Sequence, residues 1–138
     1  MYLEIKVRVG KTTEEGLVKK VTENYLVDAV TFGEAETRIT EEVAPYVSDG
    51  VEVLSMKQAH YSEIIKGEKS RWYAVKFAFI TIDERSGKEK RTHCSYLFNA
   101  ESVDEAKTAF VEHMRSSMMD WEIKAVSETS ILEVFFHE

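Results

Sequence analysis

Histidine and cysteine are the side chains best suited to hold a metal or move protons near neutral pH, and this chain has four of the first and one of the second. His60, His93, His113 and His137 are scattered, with none at the close paired spacing that metal sites favour. His93 and Cys94 are neighbours, so on one strand they point to opposite faces and do not share a ligand. Cys94 has no partner for an internal disulfide and falls on the inward phase with Tyr96, which makes it a buried structural thiol of a reducing compartment. The six glycines fall singly, mainly at turns, and no glycine-rich phosphate loop precedes a helix. Glu14-Glu15, Glu41-Glu42 and Asp104-Glu105 sit in a loop, on a helix flank and in a first helical turn, where acids are solvated or favoured by the helix dipole. The residues therefore give no catalytic set, no cofactor-binding set and no metal ligands. An enzyme with a site between two halves of the chain is the third-ranked reading.

The elements that carry these side chains are repeated. Tyr25 to Val43 lies over Tyr96 to Met114 at a constant offset of 71, with Tyr25/Tyr96, Leu26/Leu97, Ala29/Ala100, Glu34/Glu105, Ala35/Ala106, Thr37/Thr108 and Glu41/Glu112 identical. Upstream, Leu3, Ile5, Val7 and Val9 match Tyr73, Val75, Phe77 and Phe79 at an offset of 70, and both sets alternate as a half-buried strand does. Hairpin loops are expected at Gly10 to Gly16 and at Asp83 to Glu89. Each second strand then runs into a helix announced by a capping box, Thr31 with Glu34 and Ser102 with Glu105. Phe32, Ala35, Ile39, Val43 and Tyr46 form one helical stripe; Val103, Ala106, Phe110, Met114 and Ser117 form the other. The first helix should end near Pro45 to Gly50. Val51 to Ile65 and Trp121 to Phe136 complete the units as one long strand or two short ones, with an apolar phase that slips near the middle, as a β-bulge would make it.

The expected fold class is α+β: a β-β-α-β unit occurring twice, with antiparallel sheet or sheets and two helices packed on one face. The expected domain is a single compact one over residues 1–138, made of repeats 1–66 and 70–138, because a lone half would bury only a thin core. Trp72, Ala74, Ala78 and Ile80 occupy the face that the first copy fills with Glu4, Lys6 and Arg8, so the first strand of the second copy reads as apolar on both sides and as an interface. No apolar run long enough to span a membrane occurs, and a cytoplasmic protein is expected.

Lys76 to Ile80 imitates part of an RNA-recognition strand, but lacks the glycine after the basic residue, and Phe77 and Phe79 are on the core phase. Lys19, Lys20, Lys90 and Arg91 gather on the hairpins as candidate phosphate contacts, against a net charge of -7 that repels a polyanion at long range.

Tyr25-Leu26-Val27-Asp28-Ala29, followed by Glu34 to Ile39 and preceded by Lys19 to Glu23, resembles a domain family of unknown function carried by Bacteroides-type gut bacteria and some of their phages. The resemblance covers most of the chain. It implies a small cytoplasmic protein of mobile-element or phage origin and brings no activity, cofactor or catalytic residue with it. The leading expectation is thus a non-catalytic protein-binding or accessory module that engages a protein partner or itself. The alternative is a nucleic-acid accessory protein of phage or mobile-element origin.

Overall fold

Leu3, Ile5, Val7 and Val9 alternate with Glu4, Lys6 and Arg8, and such a stretch buries one face when extended. In the computed structural model, which describes residues 1–137, it is strand β1 (Tyr2–Thr12), paired antiparallel with β2 (Val18–Asp28). The ladder runs past the expected loop start to Thr12, and Gly16 closes the turn at a φ of 82°, a left-handed conformation that glycine adopts without strain. Helix α1 (Phe32–Val43) follows, then a 3-10 turn at Ala44–Tyr46, where Pro45 supplies no backbone N–H to continue the helix. Strand β3 (Asp49–Gln58) returns along β1, and the short β4 (Glu63–Ile65) comes next. The second half runs through β5 (Arg71–Ile82), a turn with Gly87 at a φ of 70°, β6 (Glu89–Ala100), α2 (Val103–His113), a 3-10 turn at Met114–Ser116, β7 (Asp120–Glu128) and β8 (Ile131–Phe135).

The strands form two four-stranded sheets, ordered β3-β1-β2-β8 and β4-β6-β5-β7. Both sheets are mixed, which corrects the antiparallel expectation. β8 lies parallel to β2, and β4 lies parallel to β6. The stretches after each helix split in two because the chain breaks its ladder at residues 59–62 and 129–130, and the second piece of each pairs in the sheet begun by the other half. Two compact units result: Met1–Ala59 with the chain from Ser130 onward, and His60–Thr129.

Both units carry the bulge that the slipped apolar phase foretold. On β3 the pairing to β1 jumps from Val53 to Ser55, leaving Leu54 as the extra residue; on β7 it jumps from Ile123 to Ala125, leaving Lys124. An extra residue of this kind re-aims its side chain.

The helix starts are half as expected. Thr31 Oγ1 accepts from the N–H of Glu34 at 3.1 Å, and Ser102 Oγ accepts from the N–H of Glu105 at 3.1 Å. The reciprocal arms differ from a capping box. The Glu34 carboxylate accepts from the N–H of Val30, one residue before the cap, while that of Glu105 lies 3.7 Å from Lys69 Nζ.

In the first unit Leu3, Ile5, Val7 and Val9 bury with Tyr25 and Val27 and with Ala35, Ile39 and Val43 of α1. In the second, aromatic rings take several of the matching places. Phe110 of α2 sits 4.8 Å from Phe77, 6.0 Å from Phe98 and 5.2 Å from Trp121, centroid to centroid. Edge-to-face pairs of this kind add to the hydrophobic gain of burial.

Candidate functional site

Of the four residues expected to form an apolar interface, Trp72, Ala74 and Ala78 are buried and Ile80 is half-buried. Between Ala74 and Ala78 on the same strand face stands Lys76, exposed. Lys19, Lys20 and Lys90 are exposed and make no ion pair among the described residues. Arg91 is held by two carboxylates, Glu89 at 3.5 Å and Glu122. The four cations are thus two hairpin pairs in separate units, of which only three side chains carry free charge.

Lys76 is the centre of the most chemically uniform surface in the second unit. The ladder sets it opposite Ser95 on β6 and opposite Ala125 on β7, next to the bulged Lys124. Ser62 joins this row from the other side, since its N–H donates to the Ser95 carbonyl at 2.8 Å. His93 lies two residues along β6 from Ser95, across from Ala78. Together with His60 these side chains line a groove of about 510 Å³, with Phe77 and Cys94 at its base. The volume is in the range of small-ligand sites, roughly 300 to 1,000 Å³. Every polar side chain of the lining can donate a hydrogen bond, and none is a carboxylate. Glu122, just outside, lies 3.4 Å from Lys124 and holds Arg91; these two partners keep its carboxyl below the usual range.

The sequence placed Cys94 as a buried thiol; it is half-buried and packed on the apolar core of its unit, across the ladder from Phe77 and on the strand face opposite His93 and Ser95. His113 does not join the groove. It stands edge-on to Tyr96 and Phe98, with Nε2 3.4 Å from the Glu63 carboxylate. Among the described residues no group of three or more His, Cys, Asp or Glu side chains comes together as a metal site.

A second groove, of about 330 Å³, belongs to the first unit and has the opposite character: Glu23, Glu42 and Glu133 surround Tyr25, with the exposed Tyr46 at its rim. Two of its carboxylates, Glu23 and Glu42, already have cationic partners. Lys11 Nζ lies 2.8 Å from Glu23, and Arg38 Nε lies 3.0 Å from Glu42. Burial, then Glu23 and Glu133, push the Tyr25 phenol far above the ordinary tyrosine value, and burial with Glu63 does the same for Tyr96. Both phenols therefore stay protonated at neutral pH and donate. Glu133 and Glu63 occupy equivalent places, each on the parallel strand directly opposite a tyrosine.

Sequence reasoning missed the donor row because it read the face of β5 as apolar and passed over Lys76. A signal was present: at an offset of 70, Glu4 and Arg8 become Ala74 and Ala78 around a retained lysine, and Leu54 becomes Lys124.

The fold is thus an α+β protein with two mixed four-stranded sheets and a donor-lined groove on one of them. The chain belongs to a family described as a domain of unknown function, DUF4494, which matches residues 1–137. No curated protein and no solved structure matches it. Among the described residues no helix is long and apolar enough to cross a membrane.

Proposed function

We propose that the chain is a non-catalytic binding module whose second unit holds an anionic group in the groove around Lys76. One observation carries this reading: Lys76, Lys124, Ser62, Ser95, His60 and His93, each able to donate a hydrogen bond, converge on one concavity, and no carboxylate lines it. A carboxylate in the lining would neutralise Lys76; without one Lys76 is available to a ligand, beside Lys124, whose partner Glu122 is shared with Arg91. The reading keeps the strand face expected to meet a partner and changes what that face recognises, from apolar surface to negative charge. Calorimetric titration of the protein with phosphate, sulfate and citrate at low ionic strength tests it. Saturable binding of at least one anion, lost in the Lys76→Gln/Lys124→Gln double variant, is expected; heat of dilution alone for all three would overturn the reading.

Polynucleotide binding is the second reading, favoured by the free charges of Lys19, Lys20 and Lys90. It requires DNA affinity that falls steeply with salt and a shallower slope when the three are neutralised. Wild-type protein without detectable DNA binding at low salt removes it.

We also infer that repeats 1–66 and 70–138 descend from one duplicated β-β-α-β segment. Equal element order, hydroxyl caps at the matching positions Thr31 and Ser102, and a bulge at the same place in β3 and β7 support that descent.

A further inference from the structure

We propose that the ligand of the Lys76 groove is the phosphate of a small phosphomonoester, an inference that rests on the anion reading above. Three features of the lining separate this ligand from other anions. The first is charge. Two ammonium groups, Lys76 and Lys124, face the groove, and a phosphomonoester whose second ionisation lies at about pH 6 is a dianion at neutral pH, whereas a single carboxylate or a sulfate ester leaves one positive charge unmatched. Glu122 is shared between Lys124 and Arg91, and Glu89 holds Arg91 as well, so the positive charge without a carboxylate partner among the described residues is that of Lys76.

The second is donor geometry. Arginine, whose planar fork matches a carboxylate, is absent from the lining, which instead has lysine ammonium groups and serine hydroxyls. These are rotatable single-point donors, and they arrive from different directions: Lys124 from the bulge of β7, Lys76 from the central strand β5, Ser95 from β6 and Ser62 from the segment before β4. A tetrahedral group with three terminal oxygens can accept from all of them at once, while a planar group has two oxygens to offer.

The third is what surrounds the lysine in each unit. Lys6 of the first unit occupies the place of Lys76, but its strand neighbours Glu4 and Arg8 are engaged by Lys57 at 3.1 Å and Glu52 at 3.6 Å, and Leu54 stands where Lys124 stands. The second unit puts Ala74 and Ala78 beside its lysine. Small residues there leave room over the strand.

The test uses the full chain and two readouts. Affinities are measured by calorimetry for inorganic phosphate, a nucleoside 5′-monophosphate and a sugar phosphate, against methyl sulfate and succinate at equal ionic strength. In parallel, the imidazole proton signals of His60 and His93, which line the groove, report occupancy at the groove itself. The phosphates should bind about tenfold tighter than methyl sulfate and succinate and shift the His60 and His93 signals; Lys76→Gln should weaken them by about the same factor, and Lys6→Gln should leave them unchanged. Lys124→Leu, which installs the residue of the first unit at an exposed position, gives an independent loss should Lys76→Gln disturb the sheet. The two esters distinguish a nucleotide from a sugar source, and tighter binding of either than of inorganic phosphate supports the proposal. Succinate or methyl sulfate binding as tightly as the phosphates overturns the phosphate assignment and leaves the anion reading standing. No anion binding and no shift of the His60 and His93 signals overturns both.

Discussion

Lys6 and Lys76 stand at the same place on the same strand of two similar units, and their surroundings make them different objects. Around Lys6 the sheet face is a mesh of paired charges, Glu4 with Lys57 and Arg8 with Glu52. Such exposed pairs contribute little to stability, but they spend local donors on local acceptors. Around Lys76 the strand neighbours carry no charge to pair, since two alanines flank the lysine, and the bulge carries a second lysine in place of Leu54. Function on a repeated scaffold is best sought where the copies disagree while the backbone agrees. The helix sides of the sheets teach the complementary lesson: Val7, Val27 and Ile39 give way to Phe77, Phe98 and Phe110, a change of size without a change of character, as expected of positions selected for packing.

The sharpest way to probe that packing contrast is to truncate the helix residue at the centre of each core. Phe110→Ala should cost about 3 to 5 kcal/mol, because the ring packs against four other aromatic residues and is fully buried. Ile39→Ala, its counterpart, should cost about 2 to 5 kcal/mol and lose no ring pairs. Urea unfolding of both variants ranks them; a larger loss for Ile39→Ala would break the claim that the second core is the more strongly packed.

The next effect is smaller and falls on the grooves. Exchanging the bulge residues, Leu54→Lys with Lys124→Leu, should weaken phosphate binding about tenfold without creating a site in the first unit, since Glu4 and Arg8 remain paired there. Titration of the exchanged protein would contradict the comparison if a second binding event appeared.

The helix caps come third. Thr31→Ala and Ser102→Ala should each cost about 1 kcal/mol. Glu34→Gln should add a further small loss that Glu105→Gln does not match, because only Glu34 reaches back to a backbone N–H. Equal urea midpoints for the two glutamine variants would show that the difference at the helix starts has no energetic weight.

The smallest effect is on acid sensitivity. Glu101 accepts from the Ser70 N–H at 2.9 Å and from its hydroxyl, which holds the carboxyl below the usual glutamate value; Val30 is the matching residue of the first unit. A carboxyl whose folded value is depressed stabilises the fold above the unfolded value of about 4.3, and that contribution disappears as the pH falls through the folded value. The fall in unfolding midpoint between about pH 7 and about pH 3 should therefore be shallower in Glu101→Gln than in the wild type. An unchanged slope would mean that the Ser70 contacts do not persist in solution.

Much of this fold was legible because it rests on local signals. Alternation in residues 3–9, a hydroxyl at each helix start and turn glycines at 16 and 87 all act within a few residues of themselves. The phase slips at Leu54 and Lys124 were equally visible, because a bulge must displace the apolar period. Strand direction was not. Glu63-Ile64-Ile65 and Glu133-Val134-Phe135 look like continuations of the preceding strand, and nothing within them says that they lie parallel to β6 and β2. The groove was hidden for a similar reason. Ser62 and Ser95 are unremarkable residues 33 positions apart in number, and only the parallel placement of β4 makes them neighbours.

That parallel placement also orders the birth of the protein. Residues 60–129 contain every strand of the β4-β6-β5-β7 sheet, so this unit can close while the chain is still being made. The first unit, although synthesised earlier, cannot: β2 waits for β8, and Asn24 meets Ser130 across 106 residues of sequence. Until residues 131–135 are in place, β2 presents an unpaired edge, the kind of surface on which nascent chains associate wrongly. The half that is translated first is the half that must be completed last.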